Sequence, residues 1–307
     1  MRFESIDRRP QSGQNKESDT FTAKGGWIVN WKEKRRQLID DGVCVVENVL
    51  DDVMLERLRS LTRVKLGALT DRDRVEQRST GSMIANRDLP ELADLIVWKR
   101  TLEALRELGF EDFKFARAYL ISKPPRSPRL FWHQDFTVWS GEPRAYSGVP
   151  PQLFAMFYLI DTHRQNGCLR VLPGSHRKRH VLHESIGVAH TEETRRMDDP
   201  SSPLYAEADG EIDVPTRAGD LVLGDSRALH ASHANQSEDE RTVITLFYHP
   251  MFSDLQKGTQ KQVTDLAQAE WEHWPDEARN TIAGIIANYD GPAAPIPRDR
   301  VPGPKLG

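Results

Sequence analysis

The sequence predicts a mainly β protein, a double-sheet jelly roll flanked by helices. Apolar side chains recur at helical spacing over residues 31–108, and from Phe113 this spacing changes from about 3.6 residues to about 2, the period of a strand. Short apolar runs then continue to residue 249, separated by turns rich in Gly, Pro and Asp. Many short strands divided by turn signals are typical of this class of fold.

The N-terminal part is predicted to be an arm followed by helices and one strand. Residues 1–25 are polar with little to bury, which favours a flexible arm. A helical pattern over residues 31–41 ends at Gly42, and the apolar run 43–46 predicts a buried strand. Residues 51–65 place three leucines on one helical stripe, which predicts a second helix.

The middle of the chain is predicted to change from helix to sheet. Charged residues 71–90 are expected to form a loop, and residues 92–108 a helix that Gly109 ends. Residues 113–123 predict a strand whose odd-numbered side chains share one face. Further strands are predicted around His133 and at 153–160, 168–172, 211–214, 219–224 and 241–249.

We predict a single domain over residues 26–290, because sandwiches and barrels run to roughly 200–250 residues as one unit. Within it, residues 177–210 are polar without clear periodicity, which indicates a lid or binding loop. A helical pattern over residues 264–287 precedes a Pro-rich tail at 291–307.

Composition and charge exclude several classes of function. The chain of 307 residues has a formal net charge of -4, whereas binding to nucleic acid or an anionic membrane requires a basic face. Its longest apolar run, residues 153–160, is far too short to span a bilayer. The polar N-terminus indicates no secretory signal, and two cysteines provide no disulfide framework. We expect a cytoplasmic protein acting on a small molecule, with its oligomeric state left open.

Residues 131–136, Phe-Trp-His-Gln-Asp-Phe, contain the first candidate site. In a strand, His133 and Asp135 point to the same face because they are two residues apart. An imidazole and a carboxylate are two members of the 2-His-1-carboxylate triad that binds Fe(II) and leaves coordination positions open. The pair by itself is not specific, since both residues can also be surface polar groups.

A third ligand and an anion-binding group are expected downstream. Residues 219–225 predict a turn, a strand and a turn that deliver His230 near a strand end, and Arg241 begins the next strand. There Arg241 would be one cation on an apolar face, where its planar guanidinium suits a carboxylate. The alternative is a surface pairing of Arg241 with acidic residues 238–240.

These residues resemble the phytanoyl-CoA dioxygenase family of Fe(II)/2-oxoglutarate oxygenases over about residues 35–250. The resemblance rests on residues 133–135, His230 and Arg241, with the turn Leu-Pro-Gly-Ser-His at 172–176 between them. It implies a double-stranded β-helix, the cupin-like form of jelly roll.

One local run is most similar to the ectoine hydroxylase pattern within that family. This run is Trp-His-Gln-Asp-Phe at residues 132–136, followed by Trp139. A local run of this kind does not define a substrate.

The resemblance also implies roles for individual residues. His133, Asp135 and His230 would bind Fe(II). Arg241 would bind the distal carboxylate of 2-oxoglutarate, with Ser232 as its hydroxyl partner. Further co-substrate contacts are expected from one face of the strand at 113–123, namely Arg117, Tyr119 and Lys123. The position near Arg117 departs from the ectoine-type pattern, which has an uncharged polar residue there.

The implied activity is a dioxygenase that uses Fe(II), 2-oxoglutarate and O2, hydroxylates a small molecule and releases succinate and CO2. A carboxylate at position 135 favours hydroxylation, because related halogenases have a small residue there. Desaturation, epimerisation and ring formation begin with the same hydrogen abstraction and stay open. A nucleic-acid- or protein-modifying oxygenase would need a basic groove or a peptide-binding extension. A non-catalytic β-sandwich binding protein is the remaining alternative.

Three further side chains are candidates for substrate binding. Phe136 and Trp139 could stack on a substrate, although aromatic side chains are more often part of a core. His249 shares the predicted face of Arg241, and it could equally be a core histidine.

Other histidines offer rival metal sites. His176, His180 and His183 could bind zinc if residues 176–183 were helical. His233 is a second candidate for the distal ligand, and His190 is expected at the surface. Acidic side chains around residues 192–199 would favour a cationic substrate, and a solvated loop explains them equally.

Overall fold

The computed structural model describes residues 21–23, 27–197 and 199–307. The strands are β1 Phe21–Ala23, β2 Trp27–Val29, β3 Val43–Val46, β4 Ser82–Ala85, β5 Lys114–Lys123, β6 Leu130–His133, β7 Leu153–Tyr158, β8 Leu169–Val171, β9 Ile212–Val214, β10 Leu221–Asp225, β11 His230–Ser232 and β12 Arg241–His249. From β5 to β12 the strands follow one another, separated mainly by turns and long connections, as the sequence predicts.

Two antiparallel sheets form the body of the fold. The larger sheet has the order β3-β10-β7-β12-β5-β4, and the smaller has the order β6-β11-β8-β9. A separate hairpin pairs β1 with β2. Strands that are neighbours in a sheet are mostly distant in sequence, as in a jelly roll. The predicted mainly β architecture with flanking helices is confirmed.

Side-chain alternation divides the apolar residues into two layers. In β7 the odd-numbered side chains join the core between the larger sheet and the helices, and the even-numbered ones join the core between the two sheets. β10 follows the same parity, whereas in β12 the even-numbered side chains join the helix-side core and the odd-numbered ones the core between the sheets. Every side chain of β7 is buried, as predicted for a central strand covered on both faces.

The helices lie mainly at the two ends of the chain. They are α1 Trp31–Asp40, α2 Asp52–Gly67, α3 Asp71–Glu76, α4 Ala93–Ile96, α5 Lys99–Glu107, α6 Glu192–Arg196, α7 Lys257–Trp271 and α8 Asp276–Ile282. Gly42 follows α1 with φ +87°, a conformation that glycine adopts without strain. The Asp51 side chain caps α2 by accepting a hydrogen bond from the Met54 N–H at 2.9 Å.

Three sequence-based predictions are wrong in their details. Residues 71–90 are not a loop, because they contain α3 and the edge strand β4, which pairs with β5. The helix predicted over 92–108 is broken at Trp98, whose indole N–H donates to the Val49 carbonyl at 2.8 Å. The helix predicted over 264–287 begins at Lys257 and is interrupted before Pro275, which has no N–H to continue it.

The predicted lid and the tail lie close to β6 and to the loop that follows it. Most of the predicted arm at 1–25 lies outside the described residues. The described part of the predicted lid contains α6 and packs against β6 through apolar side chains. Residues 291–307 pass beside the loop that follows β6. Among the described residues, every helix is too short or too polar to cross a bilayer.

Candidate active site

A cavity of about 340 Å³ lies between the two sheets. The predicted face of β12 lines it, from Arg241 through Val243 and Thr245 to Phe247. This follows from the alternation that places every second side chain of β12 toward the smaller sheet.

Two histidines meet in this cavity because their strands are paired. β11 pairs antiparallel with β6, and in that register His230 is the direct partner of His133. Their ring centroids are 4.1 Å apart, and both residues are buried. Residues almost a hundred positions apart in sequence therefore become neighbours through one strand pairing.

Asp135 joins the two imidazoles from just beyond the end of β6. The backbone N–H groups of Asp135 and Phe136 both donate to the Ser226 carbonyl at 2.9 Å, which holds the turn in place. The Asp135 carboxylate has Oδ1 3.8 Å from His133 Nε2 and Oδ2 3.4 Å from His230 Nε2. The structure thus brings together the three residues predicted as metal ligands.

The backbone determines which nitrogen each imidazole offers. His133 Nδ1 lies 3.0 Å from the Phe131 carbonyl, and His230 Nδ1 lies 3.0 Å from the Ala228 carbonyl. Because a carbonyl only accepts hydrogen bonds, each Nδ1 carries the proton and each Nε2 has a free lone pair. The lone pairs and the Asp135 carboxylate then face one another as acceptors.

These groups fit a divalent cation. His230 Nε2 is buried without a hydrogen-bond partner in the described part of the chain, although a carboxylate oxygen lies beside it. A cation bound by both atoms would remove this conflict, and two imidazole nitrogens with one carboxylate oxygen suit Fe(II). Burial, together with His230, lowers the pKa of His133 to about 3, so its imidazole is neutral at pH 7. Burial raises the pKa of Asp135, but the two imidazoles outweigh it and hold that pKa below its usual range.

Arg241 provides a buried cation in the same cavity. Its side chain is 3% exposed, and its guanidinium carbon lies 5.6 Å from the centre of the Tyr158 ring. Burial lowers the pKa of Arg241. Surface pairing with residues 238–240 is therefore wrong, since Glu238 instead pairs with Arg126.

Two hydroxyl groups that line the cavity also lack partners in the described residues. Ser232 Oγ and Thr245 Oγ1 are buried without hydrogen bonds, as is Nε of Arg241. Unpaired buried polar groups are costly, and a carboxylate would satisfy both hydroxyls and the guanidinium. The resemblance to the family implies this role for Ser232; alternation along the strand places Thr245 on the face of Arg241 without assigning it the role.

The other predicted co-substrate residues differ in where they lie. Arg117 and Tyr119 line the cavity, with the Arg117 guanidinium carbon 5.6 Å from the centre of the Tyr119 ring. Lys123 is fully buried, and its ammonium donates to the backbone carbonyls of Ser79, at 3.3 Å, and of Pro128. Burial, then the charge of Arg241, lowers the pKa of Lys123. The Lys123 side chain thus points to backbone carbonyls and is not among the described residues that line the cavity.

Of the predicted substrate contacts, His249 lines the cavity. Its Nδ1 lies 3.0 Å from the Pro151 carbonyl, and burial lowers its pKa to about 4. Phe136 and Trp139 instead pack edge to face, with ring centroids 5.5 Å apart, in a separate apolar cluster. The structure therefore places these two aromatic side chains in a core.

One histidine and three arginines that line the cavity are not predicted from the sequence as site residues. His190 was expected at the surface, but its ring centroid lies 4.8 Å from that of His133. Its ring nitrogen is close enough to His133 and Asp135 to count with them as a possible metal ligand. Burial, then His133, lowers the pKa of His190. The three arginines are Arg195 of α6 and Arg298 and Arg300 of the tail. No periodicity in the sequence connects them to the site.

The rival zinc site is not supported by the structure. Residues 176–183 do not form one helix, and His176 Nε2 lies 2.9 Å from the Ile39 carbonyl. His180 and His183 bond to each other's backbone around a single turn. His233 is also not at the triad, because its Nε2 lies 2.6 Å from Asp213 Oδ1.

The chain is similar in sequence to known dioxygenases. The family model described as phytanoyl-CoA dioxygenase (PhyH) matches residues 38–243. An ectoine dioxygenase of Nocardia farcinica is 26% identical over 240 residues, which cover 70% of this chain and 76% of the relative. A probable alpha-ketoglutarate-dependent hypophosphite dioxygenase of Stutzerimonas stutzeri is 22% identical over 232 residues, covering 70% and 77%.

Solved structures share the fold. HygX from Streptomyces hygroscopicus, crystallised with nickel and 2-oxoglutarate, has a TM-score of 0.55 at 19% identity and covers 72% of this chain and 87% of that chain. The epimerase SnoN from nogalamycin biosynthesis has a TM-score of 0.53 at 19% identity, covering 71% and 81%. These likenesses confirm the double-stranded β-helix. Because the family model spans well over half of its residues, the chain belongs to the phytanoyl-CoA dioxygenase (PhyH) family.

Proposed function

We propose that this protein hydroxylates a small-molecule substrate at the metal site formed by His133, Asp135 and His230. As a member of its family it is a dioxygenase that uses Fe(II), 2-oxoglutarate and O2, as the sequence predicts. The observation that supports the proposed site is the convergence of two lone pairs and a carboxylate in the cavity that also contains Arg241.

The chain's own residues would hold the metal in a fixed place. The Phe131 and Ala228 carbonyls orient the two imidazoles, and the charge of Asp135 offsets part of the charge of the cation. When bound, Fe(II) supplies the activation of O2 that is coupled to conversion of 2-oxoglutarate into succinate and CO2.

Arg241 would orient the co-substrate. Its guanidinium can bind the distal carboxylate of 2-oxoglutarate bidentately, with Ser232 and Thr245 donating their hydroxyl groups. The surroundings strengthen this ion pair, because a buried charge interacts more strongly than one in water.

The lid would keep bulk water from the reacting atoms. Leu182, Ile186, Leu204 and Tyr205 of the lid form one apolar cluster with Phe131 of β6 and its neighbours. The cluster covers β6, the strand that ends at His133. Exclusion of water favours transfer of oxygen to the substrate over side reactions.

Hydroxylation is the outcome that Asp135 favours. Two solved structures of the same fold support epimerisation or ring formation as the alternative. SnoN is named an epimerase, and SnoK, with a TM-score of 0.51 at 22% identity, is named a carbocyclase. The same scaffold therefore supports other oxidative outcomes. Mass spectrometry of the product formed under labelled oxygen gas distinguishes them, because hydroxylation adds one labelled oxygen atom and epimerisation adds none.

Substitution of Asp135 by Ala tests the proposed site. The unsubstituted protein is expected to bind Fe(II) and to release succinate slowly from 2-oxoglutarate without substrate, with uptake of O2. Asp135→Ala should lose both the bound iron and the succinate. Asp213→Ala is the matched control, because it removes a carboxylate that pairs with a histidine outside the triad.

Retention of iron and succinate release by Asp135→Ala would contradict the proposed site. Absence of succinate release from the unsubstituted protein under all iron and 2-oxoglutarate conditions would favour the non-catalytic binding protein. The single domain at 26–290 and the cytoplasmic location remain predictions of the sequence.

A further inference from the structure

Besides Arg241, four arginines line the cavity. They come from three separate parts of the chain: Arg117 from β5, Arg195 from α6, and Arg298 and Arg300 from the tail. Among the described residues that line the cavity, Asp135 is the one carboxylate. We call these four residues the arginine rim.

The tail is positioned so that its two arginines face the cavity. The Asp299 N–H donates to the Thr137 carbonyl at 2.8 Å, and the Asp299 carboxylate accepts from the backbone N–H groups of Trp139 and Ser140, each at 2.8 Å. Because side chains alternate along an extended segment, residues 298 and 300 lie on the side opposite to Asp299. The hydrogen bonds of Asp299 therefore direct both arginines into the cavity.

Helix α6 separates its charges in a similar way. Glu192 pairs with Arg196 on the exposed side, whereas Arg195 lines the cavity. Glu192, Glu193 and Asp199 of the lid are exposed, and Asp198 lies outside the described residues. The expectation that they favour a cationic substrate is not supported, because arginine is the charged residue that this helix presents to the cavity.

Arg300 is close enough to the other three arginines of the rim to be repelled by them. Burial lowers the pKa of Arg300, the charge of Asp135 raises it, and the charges of the other three arginines lower it. The hydrogen bond of the Arg300 guanidinium is long, 3.5 Å to the Gln134 carbonyl. Such a group of cations is stabilised by an anion that binds between them.

The metal and the co-substrate do not provide that anion. The two charges of Fe(II) and the charge of Arg241 balance the charges of Asp135 and the two carboxylates of 2-oxoglutarate. The loaded site is therefore neutral without the rim, and the rim adds four positive charges. Between these charged groups the cavity also has apolar lining, which includes Ile121, Val263 and Leu266.

We propose that the arginine rim binds an anionic group, a carboxylate or a phosphate, of the substrate that is oxidised. The substrate would then be an organic anion with an apolar body that contacts the apolar lining. This inference rests on the proposed function and specifies its substrate class. The anion at the rim is separate from 2-oxoglutarate, which Arg241 would bind.

Calorimetric titration of the Fe(II)- and 2-oxoglutarate-saturated protein without oxygen tests the inference. The probes are octanoate, octyl phosphate and octylammonium, which share one apolar body and differ in the charged group. We expect the anions to bind at least about tenfold more tightly than octylammonium, because the guanidinium groups form charge-assisted hydrogen bonds with an anion and repel a cation. Binding of both anions indicates general anion recognition, and binding of one identifies the preferred group.

A double variant assigns the binding to the rim. Arg298→Gln with Arg300→Gln should weaken the binding of the anions about 10- to 100-fold, and lysine at both positions should restore part of it. Arg63→Gln with Arg72→Gln is the matched control, because it removes the same charge from side chains that are 74% and 86% exposed. If the control weakens binding as much as the rim variant, the effect comes from net charge and the inference fails.

The remaining outcomes separate this inference from the proposed function. Equal binding of octylammonium and the anions, or unchanged anion binding in Arg298→Gln with Arg300→Gln, overturns the inference while leaving the metal site intact. If 2-oxoglutarate does not bind, the proposed function fails, and the anion titration is repeated in Arg241→Leu. In that variant anion binding reports the rim alone and decides the inference. Arg117→Gln on β5 provides a second variant should the tail variant misfold.

Discussion

Arg241→Leu is expected to weaken the binding of 2-oxoglutarate without destabilising the protein. The side chain is 3% exposed, and its Nε has no hydrogen-bond partner among the described residues. Its burial lowers the pKa of Arg241, which shows that the charged form is disfavoured there. The free protein therefore contains a buried cation that a ligand must compensate.

The expected loss of affinity for 2-oxoglutarate is large, whereas no loss of stability is expected. Removing one partner of a buried charge pair costs about 2–5 kcal/mol, so the affinity for 2-oxoglutarate should fall about 30- to several-thousand-fold. The free energy of unfolding of the ligand-free variant should stay the same or rise, because among the described residues no carboxylate pairs with Arg241. Replacing an uncompensated buried charge by an apolar side chain removes its desolvation cost.

Arg227→Leu is the matched control, because Arg227 is equally buried but paired. Its Nη2 lies 2.6 Å from Asp225 Oδ2, and both side chains are almost fully buried. Its removal leaves the Asp225 carboxylate buried and uncompensated, which should lower the free energy of unfolding by about 3–5 kcal/mol.

Calorimetry of 2-oxoglutarate binding to the Fe(II)-loaded protein measures the affinity, and urea unfolding of the ligand-free protein measures the stability. Unchanged affinity in Arg241→Leu would place the co-substrate elsewhere. A loss of stability as large as that of Arg227→Leu would show that Arg241 has a structural partner, and would refute the reasoning about an uncompensated cation.

Three further predictions concern the surroundings of the site. His230→Ala should abolish iron binding measured by metal analysis, whereas His190→Ala should retain it, because a backbone carbonyl orients the ring of His230. The folded pKa of His249, about 4, lies below its ordinary value of 6.5, so its stabilisation is complete above pH 6.5 and lost as pH falls toward 4. The free energy of unfolding should fall by about 3 kcal/mol over that range from this group, and His249→Gln should reduce the fall. Gly224→Ala places a Cβ 2.0 Å from the Phe154 ring, which should lower the free energy of unfolding by about 1–3 kcal/mol. The centre of that ring lies 4.9 Å from the centre of the His230 ring, so the affinity for iron should also fall.

Each of these predictions has a contradicting result. Iron retained in His230→Ala but lost in His190→Ala would exchange their roles. An equally steep loss of stability with pH in His249→Gln would assign that loss to other groups. Gly148→Ala is the control for Gly224→Ala, because nothing lies within 4 Å of the Cβ it adds, and equal effects of the two would exclude the clash with Phe154.

The sequence by itself determined the type of fold and the face of β12 on which Arg241 lies. Alternation along β12 predicts which of its side chains share one face, because this period is a local property of the backbone. It correctly assigned Arg241 to the inner face of β12. The meeting of His133 with His230, in contrast, needed the resemblance to a family, since no local pattern states which strands pair.

Only the tertiary structure decided where side chains cease to alternate between the two faces of a strand. β6 ends at His133, so Phe136 and Trp139 no longer follow the strand and turn into a separate core. Lys123 stands at the last position of β5, where its long side chain reaches backbone carbonyls.

The same holds for the residues that reach the cavity from outside the sheets. His190 lies in the lid, and Arg300 lies in a tail that the sequence marks only as rich in proline. Their positions depend on contacts such as the capping of the Trp139 N–H by Asp299, between residues 160 positions apart. Periodicity reports the face of an element, whereas the packing of distant segments is settled by the balance of contacts over the whole chain.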